Sequence, residues 1–223
     1  MTVYELRTYT LRPARRDDLI DIFDGELVEP QEAAGAHILG QFRDLDDPDR
    51  FVWLRGFADM ATRREALTAF YGGPAWKANR DAANATMVDS DDVLLLRPVR
   101  PGSGIAARGE RAPAGAPPPG TVVVATVHHL TEPVDEDFRA RFEAALPVLA
   151  ATGARLLAYL ETEYAANDFT ALPVRTGEHV FAWLAAESQD SRYTDSPEWT
   201  VLSSASKRIE RLRLAPTGRS LMR

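Results

Sequence analysis

Cysteine is absent from the 223 residues, which removes disulfides, thiolate nucleophiles and Cys-ligated zinc or iron–sulfur clusters from consideration. No apolar run reaches the roughly 18 residues that a membrane-spanning helix needs. The opening MTVYELRTYTLRP enters an alternating strand pattern at once, so no secretory signal is expected, and the cysteine-free composition fits a cytoplasmic protein. Clustered positive charge is also missing. The net charge is -7 and the arginines are interleaved with Asp and Glu, so neither nucleic acid nor membrane is expected as a partner. There is no Gly-rich phosphate loop and no G-x-S-x-G. The histidines are few: His37, His128, His129 and His179 all fall on expected strands. None shows the i, i+4 helical pairing of a zinc-protease helix, and the expectation is no metal and no cofactor.

What is present is a repeated outline. Residues 51–97 read as a strand (51–57), a helix (60–70), a Tyr71-Gly-Gly-Pro turn, a second helical run (75–86) and a strand (92–97). Before them, residues 2–11 alternate with period two. Pro13 is placed to open a helix, with Ile20, Phe23 and Leu27 as its buried stripe and Pro30 ending or kinking it. A second strand follows over 36–44. The order β-α-β-β-α-β is ferredoxin-like. TVVVATVHHL (121–130) then matches TVYELRTYTL (2–11) position by position, and the same order follows: a helix carrying Phe138, Phe142, Leu146 and Leu149, a strand at 154–162, a strand at 179–185, a helical run to about 204 and a strand at 207–214. The main departure is the loop 163–178, which replaces a short turn. A loop of that length is often functional, and it reads equally as a lid or as an arm crossing to another subunit. The expected organisation is a first unit over 1–98, a Pro/Gly/Ala-rich linker over 99–120, a diverged second unit over 121–215 and a frayed tail over 216–223.

The segments YELRTYTLRP, FVWLRGFADMATRREAL, FYGGPAWKA and VLLLRP resemble NIPSNAP proteins, a branch of the dimeric α+β barrel superfamily. The resemblance is close over 2–97 and weaker over 121–214. It implies an α+β fold in which two ferredoxin-like units pack as an intramolecular pseudo-dimer, with the helices outside the barrel. A further homodimer is left open. Relatives by fold include small monooxygenases, muconolactone-type isomerases, polyketide cyclases and haem-binding chlorite dismutases, so the resemblance transfers fold and not chemistry.

With that barrel in mind, alternation sorts the strands into two faces. Val52, Leu54 and Gly56 suit the helix side. Glu5, Arg7, Tyr9, Trp53 and Arg55 then face the barrel interior, together with His37, Gln41, His128 and Tyr159, and Trp183 belongs to the matching face of the second unit. Two readings stand side by side: a sealed ion-pair network between the units, or a pocket for a small, partly polar ligand. In the second reading His128, Tyr9, Arg7 and Glu5 carry the catalysis. The related monooxygenases imply that Trp76, Arg80 and Asn84 on the second helix help to hold a substrate ring, although Trp76 also suits a packing anchor. Phe169 and Arg175 of the long loop complete the candidate binding set. The expected function is a cofactor-free isomerase, cyclase or monooxygenase-like enzyme acting on a hydrophobic, oxygenated small molecule; the alternative is a non-catalytic binding or interaction scaffold.

Overall fold

The computed structural model describes residues 1–106, 109–187 and 196–223. The strands are β1 (Val3–Leu11), β2 (His37–Asp44), β3 (Arg50–Phe57), β4 (Met87–Pro98), β5 (Val122–His129), β6 (Arg155–Thr162), β7 (Val180–Glu187) and β8 (Arg208–Pro216). The helices are α1 (Arg16–Ile22), α2 (Val28–Ala33), α3 (Met60–Gly72), α4 (Pro74–Thr86), α5 (Glu136–Ala151) and α6 (Pro197–Ser204). The helical run expected after β7 lies outside the described residues over 188–195.

The strands close into one barrel in the order β1-β3-β2-β8-β5-β7-β6-β4. Each half contributes a ferredoxin-like sheet, and the halves meet at two seams, β2 with β8 and β4 with β6. The fold is therefore α+β, two ferredoxin-like units forming an intramolecular α+β barrel. No helix among the described residues is long and apolar enough to cross a membrane.

The first helix departs from the sequence expectation. It starts at Arg16, three residues after Pro13, because Ala14 turns the chain at φ 60°. Pro30 lies inside α2, and a π-helical segment over Phe23–Leu27 precedes it. Proline cannot donate to the carbonyl four residues back and its ring crowds that carbonyl. The widened turn just ahead, which includes the Glu26 carbonyl, takes up the misfit without ending the helix. Gly35 then stops it at φ +103°, a conformation that favours glycine.

The two faces of the strands are inverted relative to the sequence expectation. The barrel interior is aliphatic and filled from both units: Leu6, Val52, Leu54 and Leu96 meet Val123, Ala125, Leu184 and Leu214. Glu5, Arg7, Tyr9, Trp53 and Arg55 point the other way, into the layer between sheet and helices. The alternation was legible, but the side facing the lumen was not. Among the described residues, the barrel core contributed by the opposing half is Val, Ala, Leu and Met222, so guanidiniums placed there would be desolvated among apolar side chains. The helices supply the polar groups that such charges need. A β-bulge between Ile38 and Gly40 adds a second correction. It puts Ile38 on the helix side and Leu39 in the barrel, and His37 ends up exposed.

The tail is not frayed. Thr217 N–H donates to the Gln41 carbonyl at 2.8 Å and Met222 N–H to the Leu39 carbonyl at 3.0 Å, and the Met222 side chain joins the barrel core. Arg219 is buried against the Asp24 carbonyl and the Glu29 carboxylate. The linker is also laid down in part: Ile105 enters the barrel core, the Ser103 carbonyl accepts from Tyr159 N–H at 2.9 Å, and Arg111 bonds Glu32.

Candidate functional site

The antiparallel register of β1 and β3 sets Glu5 opposite Arg55, Arg7 opposite Trp53 and Tyr9 opposite Phe51. Each pair lies on one face, close enough for side chains to interact directly. Glu5 Oε2 accepts from Arg7 Nη1 and from Arg55 Nε, both at 2.8 Å. Its other oxygen accepts from Arg63 Nε at 2.7 Å. All four side chains are buried. Burial alone would push the Glu5 carboxyl up, but the charges of Arg55, Arg7 and Arg63 hold it well below the ordinary carboxylate range. Arg55 also donates to Gln31 Oε1 of α2 at 3.0 Å, and the guanidiniums of Arg7 and Arg55 lie 5.4 and 5.0 Å from the Trp53 ring, within cation–π range.

Arg63 was not foreseen, although a signal for it exists. It sits on the α3 stripe that carries Ala66, Leu67 and Phe70, so a charge falls in phase with buried residues. Gln31 has the same relation to Leu27.

Beyond Arg7 the layer turns aromatic. Arg7 Nε donates to the Tyr9 hydroxyl at 3.1 Å. No hydrogen bond donated by the Tyr9 hydroxyl is found among the described residues, and Tyr9 lines the neighbouring cavity. That cavity measures about 30 Å3 and is walled by Tyr9, Gln31, Trp53, Phe70, Tyr71 and Trp76. Burial raises the Tyr9 hydroxyl and the Arg7 charge opposes this; the balance lies above the ordinary value, so the phenol is protonated at neutral pH.

Of the sequence candidates, Glu5, Arg7, Tyr9, Trp53, Arg55 and Trp76 therefore come together, in the first unit. Gln41 is buried on the same side but donates to Asp24 at 3.2 Å, away from the cavity walls. Arg80 and Asn84 are exposed, and the α4 residue facing the cavity with Trp76 is Ala83. Phe169 reaches the site from the second unit, stacking on Tyr71 at 5.9 Å. Arg175 pairs with Asp92 and Glu178 instead. The loop 163–178 is thus a strap from the second unit laid across the first.

His128 is not with Tyr9. It lies on β5, and β3, β2 and β8 separate that strand from β1. The register β5–β7 pairs His128 with Phe181 and Thr126 with Trp183. Trp183 is therefore the counterpart of Trp53. Val124, Thr126 and Ala185 stand where the first unit has Glu5, Arg7 and Arg55, so the second unit lacks these charges. Its layer is packed with Phe142, Phe181, Trp183 and Trp199, and Tyr159 donates to Glu143 at 3.2 Å.

Both His128 nitrogens are engaged. Trp183 Nε1 donates to Nε2 at 3.4 Å, which leaves Nδ1–H to donate to Ser206 Oγ at 2.9 Å. Burial, assisted by neighbouring His129, lowers its pKa from 6.5 to about 4. The unfolded chain then takes up a proton between those values that the native one does not. Stability should fall by up to about 3 kcal/mol as pH drops from 6.5 to 4. His128→Gln should flatten that limb in urea melts; an unchanged acid limb would show that another group causes it.

A model of the family described as NIPSNAP matches residues 4–101. No curated protein matches the sequence. Among solved structures, a protein from Lactobacillus acidophilus NCFM assigned as a monooxygenase aligns over 97% of this chain and 94% of its own, with TM-score 0.60 and 13% identity. Another so assigned, from Fusobacterium nucleatum, aligns over 96% and 92%, with TM-score 0.56 and 10% identity. A NIPSNAP family protein of unknown function from Agrobacterium tumefaciens covers 44% of this chain and 89% of its own, with 20% identity and TM-score 0.42. The identities of the two monooxygenase-assigned neighbours establish a shared fold and no more. The stretch that the NIPSNAP model matches, residues 4–101, is the one that carries β1 to β4 and the charged aromatic cluster.

Proposed function

We propose that the first unit is a small-molecule enzyme site performing proton transfer on a hydrophobic, oxygenated substrate, and that the second unit is its scaffold. The observation carrying this reading is the Tyr9 hydroxyl, backed by Arg7 Nε at 3.1 Å and facing an aromatic cavity. A carbonyl oxygen placed there takes the Tyr9 hydrogen bond. As the substrate enolises, its α-proton passes to a solvent water, Tyr9 donates its own proton to the carbonyl oxygen to give the enol, and Arg7 stabilises the tyrosinate until solvent reprotonates it, which is how solvent deuterium enters at the α-carbon. This is the chemistry shared by isomerases, cyclases and enolate-forming oxygenases. Trp53 and Trp76 hold the apolar body.

The site is asymmetric for a physical reason. A pair of identical chains carries every substitution twice, whereas a fused chain can keep charges in one unit and replace them by Val124, Thr126 and Ala185 in the other.

The test is solvent-deuterium exchange at the α-carbon of a panel of hydrophobic cyclic ketones, followed by NMR. Wild-type protein should accelerate exchange for at least one member, and Tyr9→Phe should lower that rate about 100-fold. Exchange that proceeds equally in Tyr9→Phe would end this reading. One observation favours a second reading, a non-catalytic scaffold: about 30 Å3 of free volume holds no more than a water or two. Under that reading no ketone exchanges.

A further inference from the structure

The buried cluster is unbalanced. Glu5 is one carboxylate among the three guanidiniums of Arg7, Arg55 and Arg63. Isolated buried charge is strongly unfavourable, and among the described residues the only other carboxylate paired with these guanidiniums comes from the other unit. Arg63 Nη1 donates to Asn167 Oδ1 at 3.1 Å and to Asp168 Oδ1 at 3.2 Å, both on the strap. Arg63 itself is fully buried while the Asp168 side chain is 28% exposed. The second Arg63 nitrogen, Nη2, is buried and has no hydrogen-bond partner among the described residues. An arginine that holds one anion at the rim and keeps an unused N–H pair in the interior is built for a two-point contact with a carboxylate.

We infer that the Arg63 end of the first-unit site binds a carboxylate on an apolar body, and that Asp168 holds its place in the free protein. The inference rests on the reading of this layer as a ligand site and names the class of ligand. The strap connects the two ends of that ligand. Arg63 and Tyr71 are eight residues apart on α3, about 12 Å along the helix, and the consecutive strap residues Asp168 and Phe169 contact one each. Replacing Asp168 on Arg63 therefore releases Phe169 from Tyr71, a cavity wall. The free volume then grows on the side where the carboxylate enters, which reconciles a small closed cavity with a larger ligand.

Benzoate and the uncharged benzyl alcohol, titrated calorimetrically into wild-type and Asp168→Asn protein, separate the terms. Asp168→Asn keeps the shape of the strap and removes the competing anion. Benzoate should bind it about tenfold or more tighter than wild type, while benzyl alcohol binds both equally. Asp168→Ala, which cannot substitute an amide contact, should show the same gain for benzoate. Benzoate affinity that does not depend on residue 168, with benzyl alcohol still binding, overturns the carboxylate inference and leaves the ligand site standing. Failure of both probes to bind either variant overturns both.

Discussion

Glu5→Gln should lower the stability of the protein by about 3–5 kcal/mol, the range for removing one partner of a buried ion pair. The charge count makes it the most damaging single change in the cluster. Without Glu5, three buried guanidiniums face one another, with Asp168 reaching only Arg63 at the rim. Loss of Arg7 instead leaves Glu5 paired to two arginines, so Arg7→Met should be milder. The pH dependence follows from the direction of the Glu5 shift. Burial opposes the charge, but the arginines hold the carboxyl far below its ordinary 4.5. The stability it contributes is fully present above that ordinary value, and is lost only as pH falls from there towards the folded value. Urea melts between pH 3 and 7 should show the wild-type advantage over Glu5→Gln shrinking below about pH 4.5. Equal midpoints for the two proteins at neutral pH would mean that water reaches the cluster and screens it.

Phe142→Ala should cost a similar amount, about 3–5 kcal/mol, for an unrelated reason. Phe142 is fully buried, and its ring meets those of Tyr159, Phe181, Trp183 and Trp199 at centroid distances of 4.6 to 6.0 Å. Truncation opens a void that a helix pinned on a barrel cannot close. For a chain of this size that corresponds to a fall in Tm of about 6–20 °C. Affinity for a first-unit ligand, measured well below the new Tm, should be unchanged. A variant that keeps its Tm would refute the scaffold role given to the second unit.

The fold was legible because its signals are local. Period-two alternation marked every strand to within a few residues of its ends, apart from an earlier start for β4, and the match of 121–130 to 2–11 gave the repeat. What failed was non-local. Alternation says that Glu5, Arg7 and Tyr9 share a face, but whether that face meets helices or the opposing sheet depends on where partners lie. The partner that decides it is Arg63, 58 residues away from Glu5 on α3. The bulge at Ile38–Gly40 has no sequence marker except the glycine, yet it moves His37 out to solvent. Gly40 is also where a Cβ would meet the Phe42 ring at 2.4 Å. On α4, helical phase separates Ala83, which faces the cavity, from its neighbour Asn84, which is exposed. The tail read as frayed because it is short and polar, and its hydrogen bonds to β2 lie across nearly the full length of the chain.

Closure of the barrel has one more consequence. Every described strand has a neighbour on both sides, but the two seams pair only three residues each, so the backbone rows left without a strand are confined to the stretches beyond these seams. Edge-to-edge strand addition, the usual route by which β-rich proteins stack or aggregate, therefore has only these short seam-side stretches as a template. Away from the seams, a second copy or other protein meets the side chains of the outer helices and loops.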